Sequence, residues 1–176
     1  LSGKKILINA GPTREPIDPV RYISNHSSGK MGIALADAAA GYGGEVTLVL
    51  GPSDLQPQNN SVKVVHVTTS EDMAKECISW FPLCDIAILS AAVADFTPVR
   101  TEDRKISKSR GGLVIELKPT TDIAETLGRV KKNSQILAGF ALETDNELEN
   151  AEKKLKRKHL DLIVLNSLKE KGDGFC

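Results

Sequence analysis

The sequence predicts an α/β fold: a Rossmann-like, doubly wound, mostly parallel sheet with helices on both faces. Three observations carry this. Short runs rich in Ile, Leu and Val alternate with segments whose apolar residues recur at helical spacing. Several runs are apolar on consecutive positions, the pattern of strands covered on both faces. The residues that packing explains least gather where the runs end, the edge at which doubly wound sheets bind ligands.

In order along the chain, strands are expected at 5–10 (KILINA), 45–50 (EVTLVL), 62–67 (VKVVHV), 85–90 (DIAILS), 113–117 (LVIEL), 135–141 (QILAGFA) and 161–166 (DLIVLN). A long loop over 11–28, punctuated by Pro12, Pro16 and Pro19, follows the first. Met31, Leu35, Ala38 and Ala39 form the stripe of a first helix. Met73, Cys77, Ile78 and Phe81 form a second, with Ser70 as its expected N-cap. A polar stretch, 95–112, carries Arg100, Arg104, Lys105, Lys108 and Arg110; loops beyond about 12–15 residues inside a compact domain are usually functional or disordered. Ile123, Ala124, Leu127 and Val130 mark a third helix. Leu148, Ala151 and Leu155 mark a fourth, with Glu149–Lys153 and Glu152–Lys156 as i,i+4 pairs in the favourable order. Gly11-Pro12-Thr13-Arg14, Ala91 to Phe96, Gly139 with Phe140, and Asn166 fall at strand ends.

The 176 residues suit one domain spanning 1–176. Lys plus Arg equals Asp plus Glu, 23 against 23, so nothing global points to nucleic acid or an anionic membrane, and any anion site must be local. Cys77, Cys84 and Cys176 lack metal or CxxC spacing and read as reduced thiols; His26, His66 and His159 are scattered. No apolar run reaches the roughly 20 residues of a membrane span, and the start lacks a signal-peptide pattern, so a cytoplasmic protein is expected. Leu1 is not Met and Cys176 follows no closing element, so both ends look cut from something longer.

Ser27-Ser28-Gly29-Lys30-Met31-Gly32 opens the first helix, either as a plain Ser cap or as an anion site made of free N–H groups at the positive dipole end. It is neither a Walker A loop nor a dinucleotide fingerprint. Ala91 to Phe96 sets small residues beside one acid. Its backbone would read a base or hold an acyl group, with Asp95 on Mg²⁺, or else it is tight packing with Asp95 in a turn. Lys105-Ile106-Ser107-Lys108 reads as a cationic lid or a solvated charge run. Lys158 lies at the rim of the fourth stripe, one turn after Lys154, either serving the strand ends or snorkelling over the core. Together these describe a polyanion site beside small-residue strand ends, with no Ser-His-Asp triad and no thiol nucleophile.

The run from Ala10 to Gly32 (AGPTREPIDPVRYISNHSSGKMG) closely resembles the signature of bacterial phosphopantothenoylcysteine synthetases, usually the C-terminal half of a bifunctional coenzyme A biosynthesis protein. The AAVADF segment, Lys105, Gly139-Phe140-Ala141-Leu142-Glu143-Thr144 and Leu160-Asp161-Leu162-Ile163 follow in the family's order, over essentially the whole chain. The resemblance implies a dimeric Rossmann-like ligase, normally fused to a flavin-dependent phosphopantothenoylcysteine decarboxylase. It uses CTP and Mg²⁺ to convert 4'-phosphopantothenate to an acyl-cytidylate, which cysteine then attacks. By resemblance Asn25 orients the substrate carboxylate and stabilises the intermediate, and Arg21 and Ala92 serve the second half-reaction. Ser27, Ser28 and Gly29 belong to a flap reaching the neighbouring subunit, with some phosphate contact. Ser90, Ala91, Asp95, Thr121, Asp122, Ile123, Ala124, Phe140, Lys154 and Lys158 match nucleotide-contacting positions, and Lys105 the lid lysine. The family's lid reads KxKK; here Ser107 stands for one lysine. Ala141-Leu142 replaces a common Ala-Ala pair, and the decarboxylase half and the family's final strand region are missing. The physical requirements agree: activation builds charge on phosphorus and pyrophosphate, which cations stabilise, and an amide donor suits an oxyanion. Two other classes remain: an NAD(P)-binding module or reductase, and a dimerisation domain without turnover.

Overall fold

The computed structural model describes residues 1–108, 112–143 and 146–167, with side chains at all of these but 142, 143 and 167. In chain order the elements are β1 (Lys5–Ala10), β2 (Arg14–Pro16), β3 (Tyr22–Ser24), α1 (Lys30–Gly41), β4 (Glu45–Leu50), β5 (Lys63–His66), α2 (Ser70–Trp80) with a 3₁₀ turn (Phe81–Leu83), β6 (Ile86–Leu89), β7 (Phe96–Pro98), β8 (Leu117–Pro119), α3 (Ile123–Val130), β9 (Ile136–Glu143), α4 (Glu147–Arg157) and β10 (Leu162–Ser167). Six strands form one parallel sheet in the order β10-β9-β6-β1-β4-β5. The chain winds outward from β1 through β4 to β5, then returns to β6 on the other side of β1. The crevice beyond the carboxyl ends of β1 and β6 is therefore the topological switch point. Two short antiparallel ribbons, β2–β3 and β7–β8, stand on that edge.

The doubly wound prediction holds because the central strands are buried on both faces. Along β1, Ile6, Ile8 and Ala10 point to α1 and pack with Ile33, Ala36, Leu48 and Leu50. Leu7 points the other way, onto Met73, Cys77, Phe81, Leu127 and Leu137 beneath α2 and α3. Period-two alternation with both faces covered yields a continuous apolar run. No helix among the described residues is long and apolar enough to cross a membrane.

Several local expectations are corrected. The 113–117 run adds nothing to the main sheet: only Leu117 is in a strand, in the β7–β8 ribbon, and Val114 is 94% exposed. The ribbon β2–β3 forms inside the expected 11–28 loop. The α1 face is Gly32, Ile33, Ala36 and Ala39, while Met31 and Ala38 are exposed. Gly32 sets that face, because a Cβ there would lie 2.4 Å from the Ala10 Cβ and 2.5 Å from Ser90 Oγ. A stripe drawn from large apolar residues misses a contact made by having no side chain. Ile78, Val130 and Leu148, apolar residues counted in the expected stripes, are exposed as well. Of the helix-surface pairs, Glu149–Lys153 closes at 2.7 Å.

Ser70 is not the α2 cap. Thr69 Oγ1 accepts from the Asp72 N–H at 3.1 Å, and Asp72 Oδ2 accepts from the Thr69 N–H at 3.1 Å, a reciprocal capping box. The Thr69 N–H and hydroxyl hold the Asp72 carboxyl below its ordinary pKa. Thr69→Ala is expected to cost about 1 kcal/mol at pH 7, read from urea midpoints. A depressed carboxyl stabilises fully above its unfolded pKa and loses that contribution as pH falls through the folded value. The gap between the variant and the parent should therefore narrow below about pH 4; a gap unchanged at pH 3 would contradict the capping assignment.

Candidate functional site

The site assembles on the carboxyl edge of β1 and β6. The β2–β3 ribbon is fixed against α2 by a buried carboxylate: Glu15 accepts from the Ser70 N–H at 2.8 Å and the Ser70 hydroxyl at 3.1 Å. The Arg14 N–H reaches Thr68 O at 2.8 Å, and the Ser24 hydroxyl reaches Thr13 O at 2.7 Å. So held, the ribbon delivers Asn25 to the AAVADF segment, where Nδ2 donates to Ala92 O at 3.3 Å and Val93 O at 3.0 Å. Two facing carbonyls identify that atom as the nitrogen, leaving Oδ1 on the far side as an acceptor. The amide donor expected to serve an oxyanion is thus engaged as a latch between two motifs.

The segment after β6 is gripped from below. The Ala91 N–H donates to Asn9 Oδ1 at 3.0 Å, Ala92 N–H to Gly11 O at 2.9 Å and Ala94 N–H to Thr13 Oγ1 at 3.0 Å. The Ser90 hydroxyl donates to Asn9 O at 2.7 Å, and Thr120 donates to Ala94 O and Asp95 O. Much of the backbone expected to read a base or hold an acyl group is therefore engaged by the protein. What the small residues leave open is the half-buried surface of Ala91, Ala92 and Val93, with Asp95 exposed beside it. Among the described residues no group of three His, Cys, Asp or Glu side chains gathers to hold a metal. A lone exposed carboxylate still fits Mg²⁺, which takes one or two carboxylates and completes its shell with water and substrate phosphates.

The Asn25–Gly32 segment opens α1 differently from the Ser-cap reading. Gly29 is the cap residue, left-handed at φ 79°, with no side-chain bond into the helix. Ser27 Oγ accepts from the Gly29 N–H at 3.3 Å and Ser28 Oγ from the Lys30 N–H at 3.4 Å, each within its own turn. The first turn of α1 also contains no acidic residue, whereas α2 and α3 are capped by Thr69 and Asp122. α4 also lacks a side-chain cap but carries Glu147 and Glu149 in its first turn, so among the described helices the positive end of α1 is the one with neither a side-chain cap nor an acid.

Lys105 is exposed, but its neighbour is anchored. Buried Asp18 accepts from the Ile106 N–H at 3.1 Å and forms an ion pair with Arg21, whose Nη2 donates to Ile106 O at 3.0 Å. The Arg21 guanidinium holds the Asp18 carboxyl well below the usual carboxylate range, against the effect of its burial. The Thr101 hydroxyl also donates to Pro16 O at the end of β2, and the Glu102 N–H to Ile17 O in the turn that follows. The first half of the 95–112 stretch therefore lies on the ribbon; Arg110 is outside the described residues, as is Thr144 of the later motif.

At the α3 start, Asp122 Oδ1 caps the helix through the Glu125 N–H at 3.0 Å, and Oδ2 pairs with Lys158 Nζ at 2.8 Å. Burial works to raise the Asp122 pKa, but the Lys158 ammonium and the Glu125 N–H outweigh it and leave it lowered. Lys158 thus reaches the strand-end side rather than only snorkelling. Thr121 is exposed, Ala124, Phe140 and Lys154 are half-buried, and Ile123 is a core side chain that can offer a ligand only its backbone. Thr120 joins this group to the AAVADF segment. Reasoning from sequence gave no role to Asn9, Thr13, Glu15, Asp18 and Thr120, although Thr13, Glu15 and Asp18 lie inside the 10–32 signature and Asn9 interrupts an apolar run.

A cavity of about 600 Å³ lined by Arg129, Lys131, Lys156 and His159 lies elsewhere. Its cations serve other ends: Arg129 pairs with Glu125, Lys131 with Asp161 at 2.6 Å, and all sit near helix C-termini, where positive charge is favourable. Among the described residues, burial pushes the Cys77 thiol up to about 12 and that of Cys84 to about 11, which disfavours the thiolate at both.

Comparison with known proteins identifies the family and the fold. The profile of the DNA/pantothenate metabolism flavoprotein C-terminal domain matches residues 1–176. A cysteine/cysteine sulfinic acid decarboxylase from an unknown prokaryotic organism is 61% identical over 99% of the chain and 49% of its own length. The coenzyme A biosynthesis bifunctional protein CoaBC of Bacillus subtilis (strain 168) is 49% identical over 99% of the chain and 43% of its own length. The chain thus spans less than half of each. The crystal structure of the C-terminal domain of a CoaBC protein superposes with a TM-score of 0.84 at 47% identity, covering 94% of this chain and 78% of that one. With the family profile matched from end to end, the chain belongs to the DNA/pantothenate metabolism flavoprotein C-terminal domain family.

Proposed function

We propose that this chain joins 4'-phosphopantothenate to cysteine in coenzyme A biosynthesis, consuming CTP and releasing CMP and pyrophosphate. The substrate carboxylate attacks the α-phosphorus, the bond to the β-phosphate breaks and pyrophosphate leaves. The cysteine amine then attacks the acyl carbon, loses a proton, and CMP departs. One observation carries the reading: the signature run folds back so that Asn25 grips Ala92 and Val93 while Arg21 grips the lid backbone beside Lys105. Three motifs far apart in sequence thereby line one edge.

In this reading Lys105 and the N-terminus of α1 stabilise phosphate charge. Ser90, Ala91, Thr121, Asp122, Ala124, Phe140, Lys154, Lys158 and the Ile123 backbone border the nucleotide. Asp95 would hold Mg²⁺, which would supply charge neutralisation for the departing pyrophosphate. Exposed Val20, Tyr22, Phe96 and Leu117 on the two ribbons favour a homodimer, with the Ser27–Gly29 flap at its contact. Residues 1–176 act as a single ligase domain of a cytoplasmic protein, fused to a flavin-dependent decarboxylase. The 61% identical relative, by its name a decarboxylase, motivates a second reading. Pyrophosphate release requiring both CTP and 4'-phosphopantothenate, with ATP and UTP run alongside, tests the ligase. Carbon dioxide from cysteine or cysteine sulfinate without pyrophosphate would favour the second reading.

A further inference from the structure

We propose that Asp18 is a positioning residue that couples the two halves of the reaction by holding Arg21 and the lid as one unit. This rests on the ligase reading above. The Asp18 side chain is fully shielded from solvent, and each of its oxygens has a separate task. Oδ1 accepts from the Val20 and Arg21 N–H groups at 2.9 Å and shapes the turn of the ribbon. Oδ2 accepts from Arg21 Nε at 3.0 Å, from Arg21 Nη2, and from the Ile106 N–H at 3.1 Å. Arg21 Nη2 closes the triangle on Ile106 O at 3.0 Å.

The consequences are electrostatic and geometric. Asp18 and Arg21 neutralise each other, so Lys105, one Cα step from Ile106 and exposed, keeps its charge for an incoming anion. One edge of the guanidinium is occupied by Oδ2 and the Ile106 carbonyl, which fixes the direction in which its Nη1 can donate. The lid lysine and the arginine are thus set in register by one carboxylate that touches no reacting atom.

Asp18→Asn separates these tasks. An amide keeps an oxygen for the turn but sets an NH₂ against the Arg21 and Ile106 donors. Expected in the whole chain is amide hydrogen exchange at Ile106 at least tenfold faster, with Ile6, Leu7 and Ile8 in β1 unchanged. With labelled CTP, both pyrophosphate release and amide formation should slow at least tenfold, whereas Lys105→Gln slows chiefly the first and Arg21→Lys chiefly the second. Unchanged exchange at Ile106, an equal rise in β1, or loss of only one half-reaction overturns the proposal. If Asp18→Asn does not fold, Arg21→Lys decides: Asp18 still accepts from Ile106, so a tenfold rise there assigns the grip to Arg21 instead. A parent chain that releases no pyrophosphate removes the ligase reading, while the exchange result still judges the clamp.

Discussion

Asn25→Asp is expected to let the acyl-cytidylate form and then persist when cysteine is added, slowing product formation about a hundredfold, which corresponds to roughly 2.7 kcal/mol. The size follows from the latch. Nδ2 makes two hydrogen bonds, to Ala92 O and Val93 O, each worth about 1 kcal/mol net. Aspartate has the same shape but turns an anionic oxygen toward two carbonyl oxygens, so the bonds are lost and repulsion is added. The segment from Asn25 to Gly32 would then lift from the strand end at which, in the proposed reaction, the acyl carbon meets the amine. Activation draws mainly on the phosphate-facing cations and should stay within about tenfold. Lys105→Gln is the opposite case. It keeps polarity, shortens the side chain by one atom, removes the charge, and should lower acyl-cytidylate formation by about 10²–10³-fold. Quenched reactions with labelled CTP, with and without cysteine, separate the two; identical behaviour of both variants would refute the assignment of roles.

The contrast between these residues explains how far the site is legible in the sequence. Asn25 and Lys105 stand in a contiguous signature and a basic loop, so motif order proposes them. Thr13, Glu15 and Asp18 share that signature, but what they bond to does not announce itself. Asp18 bonds Ile106 across 88 positions, Glu15 meets Ser70 across 55, and Asn9 and Thr13 hold Ala91 and Ala94 across 82 and 81. In one dimension each is a polar residue beside a proline or at the end of a strand. Its burial exists only once the partner arrives, and no periodicity encodes that. The sheet is legible for the converse reason: a strand buried on both faces is written into consecutive residues. Helix orientation falls between the two. Where Met73, Cys77 and Phe81 supply the face the stripe is right; where Gly32 does, the packing surface is an absence and the stripe slips.

Gly51→Ala is expected to be the most destabilising of the conservative substitutions considered, costing more than about 3 kcal/mol, above the ordinary range for overpacking. Gly51 follows β4 and donates its N–H to Ala10 O at 2.9 Å. Its backbone is not left-handed, so alanine meets no conformational penalty of its own. The cost is collision: a Cβ would lie 1.9 Å from Pro12 O and 3.0 Å from Pro12 C. Neither atom is the end of a flexible side chain, and Pro12 bridges to Ala92, so relief requires moving the backbone that begins the signature. The stack continues upward: Gly11 approaches the Gly51 carbonyl and Gly29 approaches the Gly11 Cα, in each case leaving 3.2 Å for an added carbon. Pushing Pro12 therefore displaces Thr13, which holds Ala94, and the floor under Gly29, so activity should fall further than the loss of folded protein explains. Gly41→Ala is the control, since nothing lies within 4 Å of its added carbon and its φ is not positive. It should be neutral or stabilising by up to about 1 kcal/mol. Urea midpoints for the pair decide the matter: a loss below 1 kcal/mol at Gly51 would mean that the Pro12 turn yields, and that the site does not depend on this close approach of three glycine backbones.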